Sequence, residues 1–541
     1  MTTSAKSPLP DPWHAGITRG WRVIDASRQE DDLDLETDVV IVGTGAGGGT
    51  AAESFARAGL NVILIEEGPL RTSTDFRMRE SEAYPELYQE SAARKTKDKA
   101  INILQGRCVG GGTTVNWTSS FRTPAATLDF WQRAFGLSGF SAADMAPWFD
   151  RMEARLAIAP WDVPPNANNE ALARGAADLT IPTAAIRRNV KGCWNLGYCG
   201  MGCPTNAKQS MLVTTIPGAL DRGAILVTRA RALEFVHKRG QVTALRCAAM
   251  DTQGVHTTAR RITVRARAYV AAAGAIGTPA LLLRSRVPDP HGVVGKRTFL
   301  HPTVVSAAVM PAVIAPYSGA PQTIYSDHFL DSLPVGGPIG YKLEAPPVHP
   351  ILMAITLPAQ GIAHARWMRE LPHLHVQIAL LRDGFHPDSP GGTVTVDGDG
   401  APVLDYPLTP YVWDGVRRAF RTMAEIQFAA GAASVMPIHD NGTAYARWAD
   451  ARAAIDGFAL SPRVTPVVSA HVMGGCALGP NPREAAVDPR GRYHHLANLY
   501  VLDGSLFPTS IGANPQLSIY AFAARLAAGL ADELGPRPTH G

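Results

Sequence analysis

Val39-Val40-Ile41-Val42-Gly43-Thr44-Gly45-Ala46-Gly47-Gly48-Gly49 runs from an apolar, mostly β-branched segment straight into spaced glycines. The apolar part reads as a fully buried strand. Gly43-x-Gly45-x-x-Gly48 then opens a small-residue helix, read as residues 50–58 and ended by Gly59. Residues 61–66 form a second apolar strand that finishes on the carboxylate of Glu66. Gly43 allows the tight turn, Gly45 lets backbone approach a pyrophosphate, and Gly48 lets helix and strand pack closely. An anion is favoured at that helix N-terminus, where unpaired N–H groups meet the positive end of the dipole. Glu66, 23 residues after Gly43, is spaced to accept hydrogen bonds from a ribose diol. Strand, turn, helix, strand and terminal acid agree in order and spacing with a dinucleotide-binding unit. The motif alone does not separate FAD from NAD.

With 541 residues the chain has room for two to four domains, or for one cofactor domain with a large insertion. Its 46% hydrophobic and 18% charged residues are those of an ordinary globular protein. A net charge of +4 is small for this length, which argues against nucleic acid or an anionic membrane as the main partner. No apolar run reaches the roughly 18 residues of a transmembrane segment. Residues 1–32 lack the apolar stretch of a secretory signal, so the expected location is cytoplasmic. Six cysteines, three of them clustered, do not resemble a disulfide framework.

Outward from the fingerprint, residues 1–36 read as an irregular N-terminal arm and residues 69–100 as helix and loop. Gly106-Arg107-Cys108-Val109-Gly110-Gly111-Gly112-Thr113-Thr114-Val115-Asn116 is either a plain glycine-rich loop or a nest of N–H groups lying against a phosphate or a flavin edge. Residues 128–190 are Ala-rich and read as helical. Cys193, Cys199 and Cys203 follow at spacings of six and four among glycines. Such thiolates could hold an iron–sulfur cluster, whereas zinc would want a fourth ligand that is not evident nearby. Three thiols leave any cluster one ligand short, so the reading taken is a tight loop with buried free thiols and no metal. Strands are expected at 224–227, 232–236 and 262–270. The last feeds the small-residue turn 271–279 and a helix over 280–285. Residues 306–464 read as a separate antiparallel sheet with helices, including strands at 373–381 and 393–404 and a helix at 411–429. His471 alone reads as a structural histidine. Asn514 before Pro515 reads as the N-cap of a closing helix that runs to residue 534.

Taken together, these blocks resemble the glucose–methanol–choline (GMC) oxidoreductases, FAD-dependent alcohol oxidases and dehydrogenases. The resemblance rests on Gly43 to Gly48 with Glu66, the loop Gly106 to Asn116, and Gly274-Ala275-Ile276-Gly277-Thr278-Pro279. It continues with His301-Pro302, His471, Asp503 and Asn514-Pro515. It implies an α/β architecture, with a Rossmann-like FAD-binding domain assembled from residues 37–127, 215–305 and 465–541. Residues 128–214 would be a helical, Cys-containing insertion. Residues 306–464 would form an α+β substrate domain with an antiparallel sheet. The implied roles follow the same blocks. Gly43, Gly45 and Gly48 hold the pyrophosphate, Glu66 the adenosine ribose, and the peptide at Ala232 the adenine. Gly106, Gly111, Thr114 and Asn116 lie in the flavin loop, and Asp503 reaches the ribityl and diphosphate region. His471 and Asn514, with Pro515 beside them, are the catalytic pair at flavin N5. Members that bond FAD covalently through this loop carry histidine where this chain has Val115, so dissociable FAD is expected.

The implied reaction oxidises a small-molecule alcohol to an aldehyde or ketone by hydride transfer to flavin N5. His471 would accept the hydroxyl proton or hydrogen-bond the oxygen as alkoxide character develops, and Asn514 would orient it. Dioxygen, a quinone or a cytochrome would take the electrons. The cysteine spacing resembles the iron–sulfur segment of bacterial sugar dehydrogenases that feed a cytochrome. Residues 204–210 look more like the long-chain alcohol oxidases. A lyase that uses FAD structurally, an NAD-linked enzyme and a non-catalytic flavoprotein are the remaining alternatives.

Overall fold

The computed structural model describes residues 11–535. Its organising element is the strand Leu33–Val42, whose first half alternates between exposed and half-buried and whose second half is buried throughout. That change marks where the strand enters the sheet centre, with a parallel neighbour on each side. Val42 is paired with Ile65 of Val62–Ile65 and with Ala271 of Thr257–Ala271. The parallel set continues outward through Ile225–Thr228 on one side, while Leu499–Val501 pairs with the end of Thr257–Ala271 on the other. Five strands drawn from three widely separated parts of the chain therefore bring their carboxyl ends to one rim. In open α/β sheets that rim is where ligands bind.

The fingerprint helix spans Ala46–Arg57, starting four residues earlier than the sequence reading placed it. The helix packs on the closing helix Gln516–Leu534 and on Thr215–Leu220, and Gly49 permits the close approach to the second of these. Beyond Thr257–Ala271 the sheet ends in an antiparallel hairpin of Gln241–Met250 and Ala230–Lys238. Only the second of these was expected, and then only in part.

The described part of residues 1–36 is not an irregular arm. Helix Pro12–Thr18 is capped by Asp11, and strand Arg22–Asp25 adds a parallel edge to the sheet beside Ile225–Thr228. Trp13 anchors the helix: its ring is buried and its indole N–H donates to the Leu212 carbonyl at 2.8 Å. A four-residue edge strand paired with Ile225–Thr228 alone carries too little pattern to be read locally. Residues 1–10 lie outside the described residues.

The second large sheet is mainly antiparallel. Its spine is Thr303–Val309, Leu374–Leu381, Tyr341–Glu344 and Ile324–Ser326. It also takes in Ile101–Ile103, Ala184–Ala185 and Val467–Ser469, so it is not confined to residues 306–464. A smaller sheet joins Pro402–Asp405, Gly392–Val396, Lys296–Leu300 and Val472–Gly474. Helix Pro410–Ala429 packs its apolar stripe on the second large sheet. Among the described residues no helix is long and apolar enough to cross a membrane.

Candidate active site

The glycines of the fingerprint do different work. Gly43 has φ +98°, and a Cβ there would sit 2.3 Å from the Ala272 carbonyl oxygen. A Cβ on Gly48 would lie 2.0 Å from the Gly43 carbonyl oxygen, so this glycine sets the helix-to-strand distance. Gly47, which the fingerprint leaves as a free position, is the tightest: its Cβ would fall 1.8 Å from the Leu502 carbonyl oxygen. Gly45 is unlike these. Its φ is −68°, and the nearest atom to a Cβ is Gly111 Cα at 3.9 Å. Nothing in the polypeptide requires glycine at position 45. It begins the helix with no side-chain cap, leaving the first amides open to a ligand.

Glu66 is buried at the end of its strand. It accepts from the Thr44 amide (3.1 Å), the Thr44 hydroxyl (2.6 Å) and the Gly68 amide (2.9 Å). Burial pushes its carboxyl above the usual range despite those donors. The Thr44 hydroxyl also accepts from the Gly110 amide at 3.0 Å, tying the fingerprint to the second glycine loop. There Gly111 has φ +53°, and its Cβ would lie 2.8 Å from Gly45 Cα, so the two loops face each other with bare backbone. Gly106 backs directly on Gly111. Backbone amides at a helix start, two glycine loops face to face and a carboxylate with acceptor capacity to spare fit a dinucleotide such as FAD.

Thr114 donates its hydroxyl to the Val109 carbonyl at 2.8 Å, and Asn116 donates its amide to Gln516 Oε1 at 2.7 Å. Beneath them the buried Lys208 ammonium donates to the carbonyls of Thr114, Asn116 and Cys199, each at 2.7 Å. Lys208 was not singled out in the sequence, and it holds the loop's curvature. Ala232 is buried in Ala230–Lys238, with its carbonyl accepting from Arg284 at 3.0 Å. Asp503 spends both oxygens on protein donors: the Gly274 amide and Thr278 hydroxyl on one, the Ser505 amide and hydroxyl on the other. It joins the 274–279 turn to the C-terminal segment at the rim of the sheet.

His471 and His301 meet Nδ1 to Nδ1 at 2.9 Å, with their rings nearly perpendicular. The Gly512 amide donates to His301 Nε2 at 3.2 Å. That bond fixes the tautomers in turn. His301 Nε2 must be bare, so its proton is on Nδ1 and is donated to His471 Nδ1. His471 therefore carries its proton on Nε2. Burial, with the Lys342 charge nearby, pushes His471 down to about 3 and His301 well below the ordinary range. Both rings are neutral.

Asn514 does not cap the closing helix. Pro515 is the N-cap residue and no side chain caps it. The Asn514 amide nitrogen instead points to Glu344 Oε2 at 3.4 Å, and its Oδ1 is buried without a partner. Glu344 Oε2 also accepts from Gln322, while Glu344 Oε1 is likewise buried and unpartnered. Two residues along the same strand face, the buried Lys342 pairs with Asp327 at 2.7 Å. Its Nζ also lies 3.6 Å from the Phe121 ring centre and 4.1 Å from that of Tyr325. Sequence reasoning missed Glu344 and Lys342, and noted His301 only as part of a motif.

Cys193, Cys199 and Cys203 are half-buried free thiols. Cys193 accepts from the Asn195 amide, Cys199 faces the Arg188 guanidinium at 3.7 Å, and Cys203 meets the Thr205 hydroxyl at 3.4 Å. Among the described residues no three or more His, Cys, Asp or Glu side chains are grouped to hold a metal ion.

Comparison with known proteins matches residues 84–303 and 387–523 to the GMC oxidoreductase family and residues 38–77 to an FAD binding domain. A GMC-type oxidoreductase of Mycobacterium tuberculosis, MT0511/MT0512, is 30% identical over 494 residues, covering 91% of this chain and 75% of its own. Long-chain-alcohol oxidase FAO4B of Arabidopsis thaliana is 28% identical over 520 residues, covering 92% and 68%. Among solved structures, pyridoxine 4-oxidase from Mesorbium loti superposes with a TM-score of 0.66 at 18% identity, over 91% of this chain and 98% of that one. The fingerprint cradle, the second glycine loop facing it and these matches make the chain a member of the GMC family of FAD-dependent oxidoreductases.

Proposed function

We propose that this protein oxidises an alcohol to an aldehyde or ketone, with His471 and Asn514 holding the reacting oxygen. The observation that carries the reading is an unspent hydrogen-bonding atom on each residue: the Nε2–H of the neutral His471 imidazole, and the Asn514 Oδ1, which is buried without a partner. Polar atoms left bare in a buried place are costly unless a ligand meets them. Bound FAD supplies the two-electron acceptor for hydride from the carbinol carbon. His471 Nε2–H donates to the alcohol oxygen, and that bond strengthens as alkoxide character develops. Of the two roles expected of His471, its hydrogen bonds favour the donor over the proton acceptor. Asn514 keeps one N–H and its carbonyl for the same hydroxyl and fixes its orientation. Likeness to FAO4B supports an alcohol with a long apolar chain as the substrate class, and dioxygen as the acceptor. Val115 in place of a linking histidine supports non-covalent FAD.

Anaerobic addition of alcohols of graded chain length to the purified holoprotein tests the reading. Bleaching of the oxidised flavin bands that steepens with chain length is expected. A flavin that no alcohol bleaches would leave a lyase or a non-catalytic role, and bleaching by sugars alone would move the substrate class.

A further inference from the structure

We propose that the helical pair Pro350–Thr356 and Gly361–Arg369 is a docking surface for a lipid bilayer that carries anionic headgroups. The pair would lie on the bilayer surface, a contact that needs no spanning helix.

Among the described residues nine large apolar side chains are exposed, and six of them are scattered, which is ordinary for a protein surface. The other three, Ile351, Ile355 and Ile362, are 40%, 65% and 76% exposed and all fall within these two helices. Ile351 and Ile355 stand one turn apart on the first helix, while Met353 between them is buried. On the second helix Ile362, Arg366 and Arg369 follow at steps of four and three, which makes one line along it. Its half-buried residues, His364, Trp367 and Met368, take the other side. The His364 ring meets the Ala354 carbonyl at 2.9 Å and joins the two helices. Glu80 fixes the start of the first helix by accepting from the Ile351 and Leu352 amides at 2.7 and 2.9 Å.

Charge identifies the partner. Residues 350–369 contain Arg366 and Arg369 but no Asp or Glu, and Glu370 follows at the helix C-cap. Among the described residues neither guanidinium has a hydrogen bond or an ion pair. The net +4 of the whole chain averages over the entire surface and hides this local excess. A second copy of the chain is a poor occupant, because a two-fold contact through the patch would set like charges against each other. An anionic headgroup layer meets both features. Its phosphates take the guanidiniums, and the isoleucines enter the apolar margin beneath.

The packing under the pair connects it to the candidate site. Met353 and Leu357 join a buried cluster with Val305, Ile378 and Leu380. Ile378 is paired with Glu344 on the neighbouring strand, so their side chains share a sheet face, and Glu344 contacts Asn514. A docked bilayer would thus lie against the apolar side of that face, and an alcohol with a long apolar chain dissolves in the same phase. This last support rests on the alcohol reading; the patch itself does not.

Vesicle flotation of the FAD-loaded protein tests the proposal. Wild type should bind vesicles of phosphatidylcholine with about one third phosphatidylglycerol at least about tenfold more tightly than phosphatidylcholine alone, and less so as salt is raised. Arg366→Gln with Arg369→Gln should lose about fivefold per charge on the anionic vesicles only. Ile355→Ser with Ile362→Ser should lose at least about tenfold on them as well. All four side chains are exposed, so the flavin spectrum and urea midpoint should match wild type. If either double variant does not, its single substitutions are measured instead. Wild type that binds neither vesicle, or variants that bind as wild type does, would overturn the proposal. So would a soluble dimer, seen by light scattering, that both variants abolish, since a second copy would then cover the patch. Flotation needs no turnover, so a flavin that no alcohol bleaches would remove the alcohol reading and leave this surface standing.

Discussion

Replacing Gly45 and Gly48 separately by alanine should divide what the fingerprint does for the fold from what it does for the cofactor. At Gly48 the new methyl would overlap the Gly43 carbonyl oxygen, at 2.0 Å. Backbone on both sides must move, and overpacking of this kind costs about 1–3 kcal/mol or more. At Gly45 the methyl has 3.9 Å to its nearest neighbour and φ is already −68°. The loss of a glycine cap and the gain from a stiffer unfolded chain are each within about 1 kcal/mol and opposed in sign, so apo stability should hardly change. FAD is another matter. A methyl where backbone must approach the pyrophosphate forfeits charge-assisted hydrogen bonds worth about 1.5–3 kcal/mol, or roughly 10- to 10²-fold in Kd. Urea unfolding of the apoprotein and fluorescence titration with FAD read the two effects independently. Gly48→Ala should lower the urea midpoint, and Gly45→Ala should leave it in place while weakening FAD. If Gly45→Ala binds FAD within twofold of wild type, the pyrophosphate does not lie over Gly45 and the cradle assignment fails.

Lys208→Met should cost roughly 3 kcal/mol or more in urea unfolding, because three carbonyls, one buried and two part-buried, lose their donor together; a change below about 1 kcal/mol would show that water replaces it. His471→Ala should retain FAD and reduce it at least about 10²-fold more slowly with alcohol, whereas near-normal reduction of the flavinated variant would remove His471 from the site chemistry. Because His471 is pushed down to about 3, the imidazole stays neutral across the working range, and a pH–rate limb near 6.5 that vanishes in His471→Gln would contradict the assigned hydrogen bonds. FAD should leave the polypeptide on acid or heat denaturation, given Val115, and flavin that sediments with the denatured chain would refute this.

The parts of the molecule that were legible in the sequence are those whose causes are local. Leu33–Val42, the glycine turn and Val62–Ile65 lie within one stretch of chain, and each residue's reason for being there is its immediate neighbour. Arg22–Asp25 and Gln241–Met250 escaped because an edge strand takes its partner from elsewhere and carries no pattern of its own. The candidate site was half legible for a related reason. His471 and Asn514 sit in recognisable blocks, but Lys342 and Glu344 alternate along a strand in the manner of a solvent-facing edge. Both are buried, and what pays for their burial is Asp327, Gln322 and Asn514, none adjacent in sequence. The N-cap expected of Asn514 failed the same way, since its amide turns to Glu344 rather than to the helix behind it.

The interleaving of the parallel sheet bears on how the protein is made. Leu33–Val42 emerges early, but its neighbour Thr257–Ala271 follows only after residues 66–256 have been synthesised, and Leu499–Val501 comes near the end. The cradle needs all of them: Gly47 is seated against the Leu502 carbonyl, and Asp503 bridges to Gly274 and Thr278. A chain still on the ribosome therefore cannot close around a dinucleotide, however complete its N-terminal half. Pairings so distant in sequence form slowly and leave strand edges exposed meanwhile. Cofactor capture is thus a late, post-synthetic event, and a chain truncated before residue 499 should accumulate as flavin-free, aggregation-prone protein.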